Sequence, residues 1–156
     1  MVKSYQGKFV RQDKNPSQNI KVKDFMSTTL TVFRPEQSIP EVINVLIQNR
    51  ISGGPVVNDK FELVGVISEG DCIKQLSESQ YYNMPIENVL VESCMARNVE
   101  TVDGEMTIFD AAKKFLNAKR RRFPIVEDRR LIGMISQKDI LKAAIGIKAQ
   151  TWDPNK

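Results

Sequence analysis

The apolar residues of this chain show one pattern of spacing twice. In each copy a helical spacing comes first and short continuous apolar runs follow it. Steps of three and four residues indicate one buried helix face in each half. The apolar positions are Ile39, Val42, Ile43, Leu46 and Ile47 in the first half, and Ile108, Ala111, Ala112, Phe115 and Leu116 in the second. N-cap pairs precede both runs, namely Ser38 with Glu41 and Thr107 with Asp110. The pattern therefore predicts a capped helix in each half.

Two short β-branched runs follow each helix and predict a hairpin, because only a short polar turn separates them. The runs are 55–57 with 63–67, and 124–126 with 131–135. A second helix is predicted from Ser68 to about Ser77 and from Ser136 to about Ile145. With an extended piece before each first helix (30–33 and 99–102), each half reads β-α-β-β-α. The fold class expected is α/β, of the α+β type.

The two halves are copies of one unit. A constant offset aligns Val22 with Val91, Met26 with Met95 and Pro55 with Pro124, and it shortens by one position from Leu63 onward. Self-similarity over 22–74 and 91–142 indicates a duplicated supersecondary unit. A unit shorter than about 60 residues is marginal alone, so we expect the repeats to pack as a pseudo-twofold pair. The predicted organisation is a basic tail (1–20), repeat one (21–77), a linker (78–90), repeat two (91–146) and a C-terminal tail (147–156).

Composition narrows the function classes. The chain is 41% hydrophobic and 27% charged, typical of a globular protein, and it contains no histidine. A Ser-His-Asp triad is thereby excluded, and no metal or catalytic site is predicted. Cys72 and Cys94 align with Ile140 and Phe25, so buried structural thiols explain them better than a disulfide or a metal site. No run approaches the ~20 apolar residues of a membrane span, and the polar start has no signal-peptide core, so we expect a cytoplasmic protein.

Charge is distributed unevenly. The net charge is +4, and residues 1–20 supply most of it through Lys3, Lys8, Arg11 and Lys14 against Asp13. Residues 22–74 carry five basic and seven acidic side chains, whereas residues 91–142 carry eleven and eight. Positive charge is thus concentrated in the tail and in repeat two.

The phrase Gly-x-Ile-Ser-x-x-Asp occurs twice, at 65–71 and at 133–139. Its variable second position is Val66 in the first copy and Met134 in the second. Ser and Asp three residues apart are typical of a capping box, which would explain both without any ligand. A helix N-terminus can also hold phosphate, and a carboxylate suits ribose hydroxyls. We take Gly65 and Gly133 to favour the ligand-site interpretation, because a missing side chain lets a backbone or a ligand approach closely.

The duplicated β-α-β-β-α unit, Met26 or Met95 before the first strand, the Pro-Val-Val type strand and the Gly-x-Ile-Ser-x-x-Asp phrase resemble the tandem CBS domain pair, or Bateman module. The resemblance covers about residues 22–146. It implies a regulatory sensor whose clefts between the repeats bind adenosine-containing ligands such as AMP, ADP or ATP as regulatory ligands rather than catalytic cofactors. It also implies a homodimer and a regulated protein in trans. The missing histidine and the lack of a long apolar run, rather than the resemblance, lead us to expect neither an enzyme nor a membrane partner.

Site roles follow from the same resemblance. Asp139 and Asp71 would bind ribose, and Ser136 and Ser68 would lie near ribose and phosphate. For the phosphate we select Arg121, Arg122 and Lys138, because the run Lys119–Arg122 precedes the Pro-containing strand and Arg offers a bidentate fork. The adenine would contact apolar and backbone groups of two clefts: Thr101, Val102, Phe123 and Pro124 in one, and Val32, Phe33, Gly54 and Pro55 in the other. We expect the cleft around repeat two to bind a phosphorylated ligand more tightly.

Other functions fit parts of the sequence. The Arg run is also consistent with a solvated or protein-facing surface. A ligand-free interaction module could use Trp152 for docking, and the basic tail with the Arg run could bind nucleic acid weakly. Phe123 is the only aromatic residue beside the run, which gives little support for base stacking.

Overall fold

The computed structural model describes residues 20–151, with side chains through Gly146. Most of the tail 1–20, and Trp152 with the residues after it, lie outside this range. Repeat one contains helix α1 (Ile39–Asn49), strands β1 (Gly53–Val57) and β2 (Leu63–Ser68), and helix α2 (Glu69–Tyr81). A short helix α3 (Val91–Cys94) and strand β3 (Val102–Asp103) open repeat two, followed by α4 (Ile108–Ala118), β4 (Arg122–Glu127), β5 (Arg130–Ser136) and α5 (Gln137–Thr151). Two 3-10 turns (Val22–Asp24 and Ile86–Asn88) complete the described elements.

Each hairpin has the predicted form and the same irregularity. Strands β1 and β2 pair antiparallel with a register shift between Val56 and Val57, and β4 and β5 pair antiparallel with a shift between Ile125 and Val126. The two shifts lie at equivalent positions of the two repeats. Duplication is therefore visible in backbone detail as well as in side-chain pattern.

The extended pieces expected before the first helices are shorter than predicted. In repeat two, β3 begins at Val102 and pairs parallel with β4. In repeat one only an isolated bridge forms, between Phe33 and Val56. Both second helices run longer than predicted, to Tyr81 and Thr151. The next prolines, Pro85 and Pro154, are not close to either predicted end, and Gly146 lies within α5 instead of terminating it.

Each repeat completes its core with the leading segment of the other repeat. The cluster built on α4, β4 and β5 includes Val22, which is fully buried, with Phe25 and Met26 packed against it. The cluster built on α1, β1 and β2 includes Val91 and Met95 in the same way. Neither repeat has a complete core of its own, which explains why so short a unit occurs as a pair.

Backbone hydrogen bonds fix this exchange. Ser27 N donates to Met134 O at 2.9 Å, and Met134 N donates back to Ser27 O at 3.0 Å. In the other repeat, Val66 and Ala96 make the equivalent pair at 3.0 and 2.9 Å. The bridges Lys21–Thr107 and Ser38–Leu90 are likewise equivalent under the repeat. The repeats thus pack as a pseudo-twofold pair.

The helix faces differ from prediction at one position in each repeat. Ile47 is 70% exposed and its equivalent Leu116 is 81% exposed, although both belong to the predicted buried stripe. The core stripe is narrower than the sequence suggested: Val42 and Leu46 of α1, with Ala111 and Phe115 of α4, lie inside. Ile47 and Leu116 lie at the edge of that stripe, on the solvent side.

The cysteines occupy packed positions, as expected. Cys72 is buried in the core of repeat one, and Cys94 is half-buried with its thiol donating to Gln75 Oε1 at 3.2 Å. Burial raises the pKa of both thiols, which lowers their reactivity. Across the described residues, no helix is both long and apolar enough to span a bilayer.

Candidate functional site

A cleft of about 460 Å³, here called the inter-repeat cleft, lies between the two repeats. Its walls come from the segment 27–31, the facing ends of the two hairpins and the first turn of α5. The lining residues are Ser27, Thr29, Leu30, Thr31, Ile51, Ser52, Gly53, Gly54, Pro55, Val66, Ile67, Ser68, Arg120, Arg122, Pro124, Met134, Ser136 and Asp139. The charged residues among them are Arg120, Arg122 and Asp139, so the cleft carries a net positive charge.

Asp139 and Ser136 form a capping box at the start of α5. One carboxylate oxygen, Asp139 Oδ2, accepts from the Ser136 backbone N at 2.8 Å and from its hydroxyl at 3.0 Å. Ser136 Oγ accepts from Asp139 N at 3.2 Å. These bonds fix the carboxylate at the cleft wall with its Oδ1 oxygen uncommitted to any hydrogen bond among the described residues. The capping and ligand interpretations are therefore compatible.

Asp71 and Ser68 repeat this geometry at the start of α2. Asp71 Oδ2 accepts from Ser68 N at 2.9 Å and from Ser68 Oγ at 3.0 Å. Ser68 lines the inter-repeat cleft, whereas Asp71 does not. The two capping boxes therefore consist of the same residue types, but only the second one places its carboxylate on the wall of this cleft.

The arginine run is held against the first turn of α5. Gln137 N donates to Arg121 O at 3.2 Å, and Gln137 Nε2 donates to Arg120 O at 3.2 Å. Arg120 and Arg122 line the cleft, and Arg121 does not. Arg121 lies at a bend between these two residues, immediately before β4 begins at Arg122. Lys138, also predicted near the phosphate, is exposed and does not line the cleft.

The glycines of the repeated phrase are explained by packing rather than by a ligand. A Cβ on Gly133 would lie 2.5 Å from Met26 Sδ and 2.9 Å from Ser27 O. A Cβ on Gly65 would lie 2.7 Å from Met95 Sδ and 2.8 Å from Ala96 O. Both glycines admit the exchanged leading segment of the other repeat, so our use of them in favour of a ligand site was wrong.

The residues predicted around adenine fall into two groups. Gly54, Pro55 and Pro124 line the cleft. Phe33, Val102 and Phe123 are fully buried in the two cores, so their side chains face away from it. Thr101 lines a different cleft of about 350 Å³, and Val32 is half-buried outside both.

A size exchange between the repeats explains Gly54. A Cβ there would lie 2.9 Å from the Phe33 ring and 2.9 Å from Thr31 O. The equivalent pair in repeat two is Val102 and Phe123, with the large residue on the hairpin. The Phe33 ring therefore occupies the space beside Gly54.

Sequence reasoning missed the wall contributed by residues 27–31 and the role of Arg120. It placed the clefts between the repeats but took each set of adenine contacts from a single repeat, whereas this cleft combines Asp139 and Arg122 with Gly53 and Thr31. The alignment of Met26 with Met95, opposite Gly133 and Gly65, was the available signal for the exchange. To use this signal, one would have to recognise that the leading segment of each repeat packs against the hairpin of the other repeat.

Comparison with known proteins agrees with this architecture. The CBS domain family model matches twice, at residues 22–78 and 91–146. Protein MJ1426 of Methanocaldococcus jannaschii is 30% identical over 80% of this chain and 90% of its own length. The chloroplastic CBS domain-containing protein CBSX2 of Arabidopsis thaliana is 28% identical over 83% of this chain and 66% of its own length.

Solved structures with similar folds contain adenosine compounds. The crystal structure of CBSX2 in complex with AMP superimposes with a TM-score of 0.71 at 31% identity, covering 83% of this chain and 98% of that one. The CBS domain pair of MJ0100, in complex with 5'-methylthioadenosine and S-adenosyl-L-methionine, gives a TM-score of 0.65 at 28% identity, covering 81% and 96%. The exchanged cores, the paired hairpins and the two family matches establish that this chain belongs to the CBS domain family, as a tandem pair.

Proposed function

We propose that this chain is a regulatory module that binds an adenosine nucleotide, AMP, ADP or ATP, in the cleft between its repeats. The observation that carries the proposal is the presence of a fixed carboxylate, Asp139, and two arginines, Arg120 and Arg122, around one cleft. A volume of about 460 Å³ lies within the usual range for small-ligand sites. The adenosine compounds bound by similar structures support the ligand class.

The carboxylate and the arginines suit different parts of such a ligand. Asp139 Oδ1 would accept hydrogen bonds from ribose hydroxyls, because a carboxylate repels phosphate and binds neutral donors well. Arg120 and Arg122 would hold the phosphate through charge-assisted hydrogen bonds. Neither arginine is in an ion pair with another described residue. We therefore move the proposed phosphate contacts from Arg121 and Lys138 to Arg120, and keep Arg122.

Charge favours a nucleotide over the other ligand class that similar structures bind. S-adenosylmethionine carries a sulfonium cation, which two arginines in a cleft of net positive charge would repel. Methylthioadenosine lacks any group for the arginines to bind. We expect the order of affinity to follow the ligand's negative charge.

We propose no reaction for this protein. Regulation would instead arise from different affinities of the nucleotide for two arrangements of the repeats, since a ligand shifts an equilibrium only by its differential affinity. The cleft is suited to this because residues of both repeats line it.

We also propose a homodimer formed through the helices. Ile47, Ile73 and Leu76 are exposed on α1 and α2, and Leu116, Leu141 and Ile145 on α4 and α5. Helices α1 and α2 carry four acidic residues and one basic, whereas α4 and α5 up to Gly146 carry four basic and two acidic. Opposite charge beside similar apolar surfaces favours contact between repeat one of one protomer and repeat two of the other.

A ligand panel tests the proposed function. The protein, freed of co-purified ligand by unfolding and refolding, is titrated with AMP, ADP, ATP, methylthioadenosine and S-adenosylmethionine. A nucleotide at 100 times its dissociation constant should stabilise the fold by about 2.7 kcal/mol, visible as a higher melting temperature. GMP is the matched control for the base. No stabilisation by any adenosine compound would contradict the proposal, and preference for S-adenosylmethionine would contradict the role of the arginines.

A further inference from the structure

The pseudo-twofold relation gives every residue of the inter-repeat cleft an equivalent in the other repeat. The capping boxes are matched, since Asp71 and Ser68 are equivalent to Asp139 and Ser136. The opposite wall is not matched, because Glu100 is the equivalent of Thr31 and Arg121 that of Ser52. The pairs Ile51 with Arg120 and Gly53 with Arg122 all line the inter-repeat cleft and do not distinguish the two sites.

Charge separates the two sites. Thr31 presents a neutral hydroxyl, to which Asn49 Nδ2 is 3.5 Å away. Its equivalent Glu100 presents a carboxylate that is 43% exposed, with Lys114 Nζ at 3.9 Å. By the pseudo-twofold relation the equivalent site has two carboxylates, Glu100 and Asp71, with Arg121 in place of Ser52, whereas the inter-repeat cleft has Asp139 with two arginines. An exposed ion pair of this length neutralises Glu100 only weakly, so the second carboxylate opposes an anionic ligand.

We infer that this chain binds one nucleotide rather than two, and that Thr31 is the residue that selects the inter-repeat cleft over its equivalent. The inference rests on the proposed function, because it concerns the same ligand. It assigns the selection to a wall residue that lies outside the repeated Ser-x-x-Asp phrase. Both phrases can keep their capping role while only one takes part in binding.

The test is the stoichiometry of AMP and ATP binding to the full chain, measured by equilibrium dialysis at ligand concentrations that saturate the first site. We expect one nucleotide per chain. Thr31→Glu, which places the repeat-two residue in the cleft, should weaken binding by at least tenfold, and no second site should become visible. Thr31→Gln, of the same size without charge, should retain more affinity than Thr31→Glu. Glu100→Gln is the matched control at the equivalent position and should bind within twofold of the unsubstituted chain.

The outcomes separate the two proposals. Two nucleotides per chain, or Thr31→Glu that still binds one with unchanged affinity, overturns this inference and leaves the proposed function standing. No binding by the unsubstituted chain overturns both. The melting temperature of each variant is recorded first, and the stoichiometry of the unsubstituted chain decides the question even if Thr31→Glu does not fold.

Discussion

The thioether of Met26 lies directly over Gly133, so close that a Cβ on the glycine would be 2.5 Å from the sulfur. The contact joins a residue of the first repeat to the hairpin of the second. It belongs to the exchange of leading segments that completes both cores.

Gly133→Ala should destabilise the protein by about 1–3 kcal/mol, the usual cost of overpacking. Met26 can shift, but the added methyl would also lie 2.9 Å from Ser27 O, a backbone atom that accepts a hydrogen bond from Met134. Urea denaturation measures the change. Gly146→Ala is the control, because a Cβ there meets nothing within 4 Å and alanine favours the helix by up to about 1 kcal/mol. Equal effects of the two substitutions would contradict the packing account.

Asp139→Ala and Asp71→Ala should lower the stability of the fold by similar amounts, but they should differ in their effect on the affinity for AMP. Each removes the carboxylate of a capping box, at a cost of roughly 0.5–2 kcal/mol. Only Asp139 lines the cleft, so Asp139→Ala should also weaken AMP binding by roughly 10–100-fold, the loss of a hydrogen bond to a charged group. Calorimetric titration of both variants measures this. A similar loss of affinity in Asp71→Ala would argue against the assignment.

Arg122→Met should weaken AMP binding by roughly 10–100-fold while leaving methylthioadenosine binding nearly unchanged, because methionine keeps the apolar stem and removes the charge. Arg121→Met tests the neighbour that does not line the cleft, and it should bind AMP within threefold of the unsubstituted chain. The dependence of AMP affinity on salt should also decrease in Arg122→Met alone. If Arg121→Met loses the affinity instead, the side chains are arranged differently from the structure described.

Glu105 should make stability fall on acidification. Hydrogen bonds and charge from Lys21 and Lys23 lower the pKa of its carboxyl from 4.5 to about 2. A carboxyl with a depressed folded pKa contributes stability above its unfolded pKa and loses it as pH falls toward the folded value. The unsubstituted chain should therefore lose stability between about pH 4.5 and 2 through this group, and Glu105→Gln should lose less.

Melting temperatures of both proteins across that pH range provide the measurement. Glu36→Gln is the control, because Glu36 is the exposed repeat-one equivalent and has no ion pair within the part of the chain that the structure describes. Parallel pH curves for the unsubstituted chain and Glu105→Gln would show that the ion pairs do not form in solution.

Local patterns were sufficient for most of the fold. The capped helices α1 and α4 and both hairpins follow from residues close together in sequence, because caps and strand alternation are local properties. The capping boxes at Ser68 and Ser136 were predicted for the same reason.

The cleft could not be predicted in the same way. Its walls join Thr31 to Asp139, and this juxtaposition depends on which repeat receives each leading segment, a choice that no local pattern expresses. The run of four basic residues likewise does not indicate the bend at Arg121, which lies between the two arginines of the cleft wall. Hydrophobic periodicity also overestimated the width of the buried stripe on each first helix. Periodicity alone does not distinguish an apolar residue in the core from an apolar residue on an exposed helix face, such as Ile47.

An ancestral polypeptide with one such unit could not have filled its own interior with its own leading segment, if it folded as either half does now. It would have had to borrow the equivalent of Val22 from a second molecule and lend its own in return. Such a pair would be a domain-swapped dimer with a binding crevice between two gene products. Joining the two units through the segment 78–90 would have placed both equivalent sites within one chain, and only then could substitutions at positions 31 and 100 make the two sites unequal.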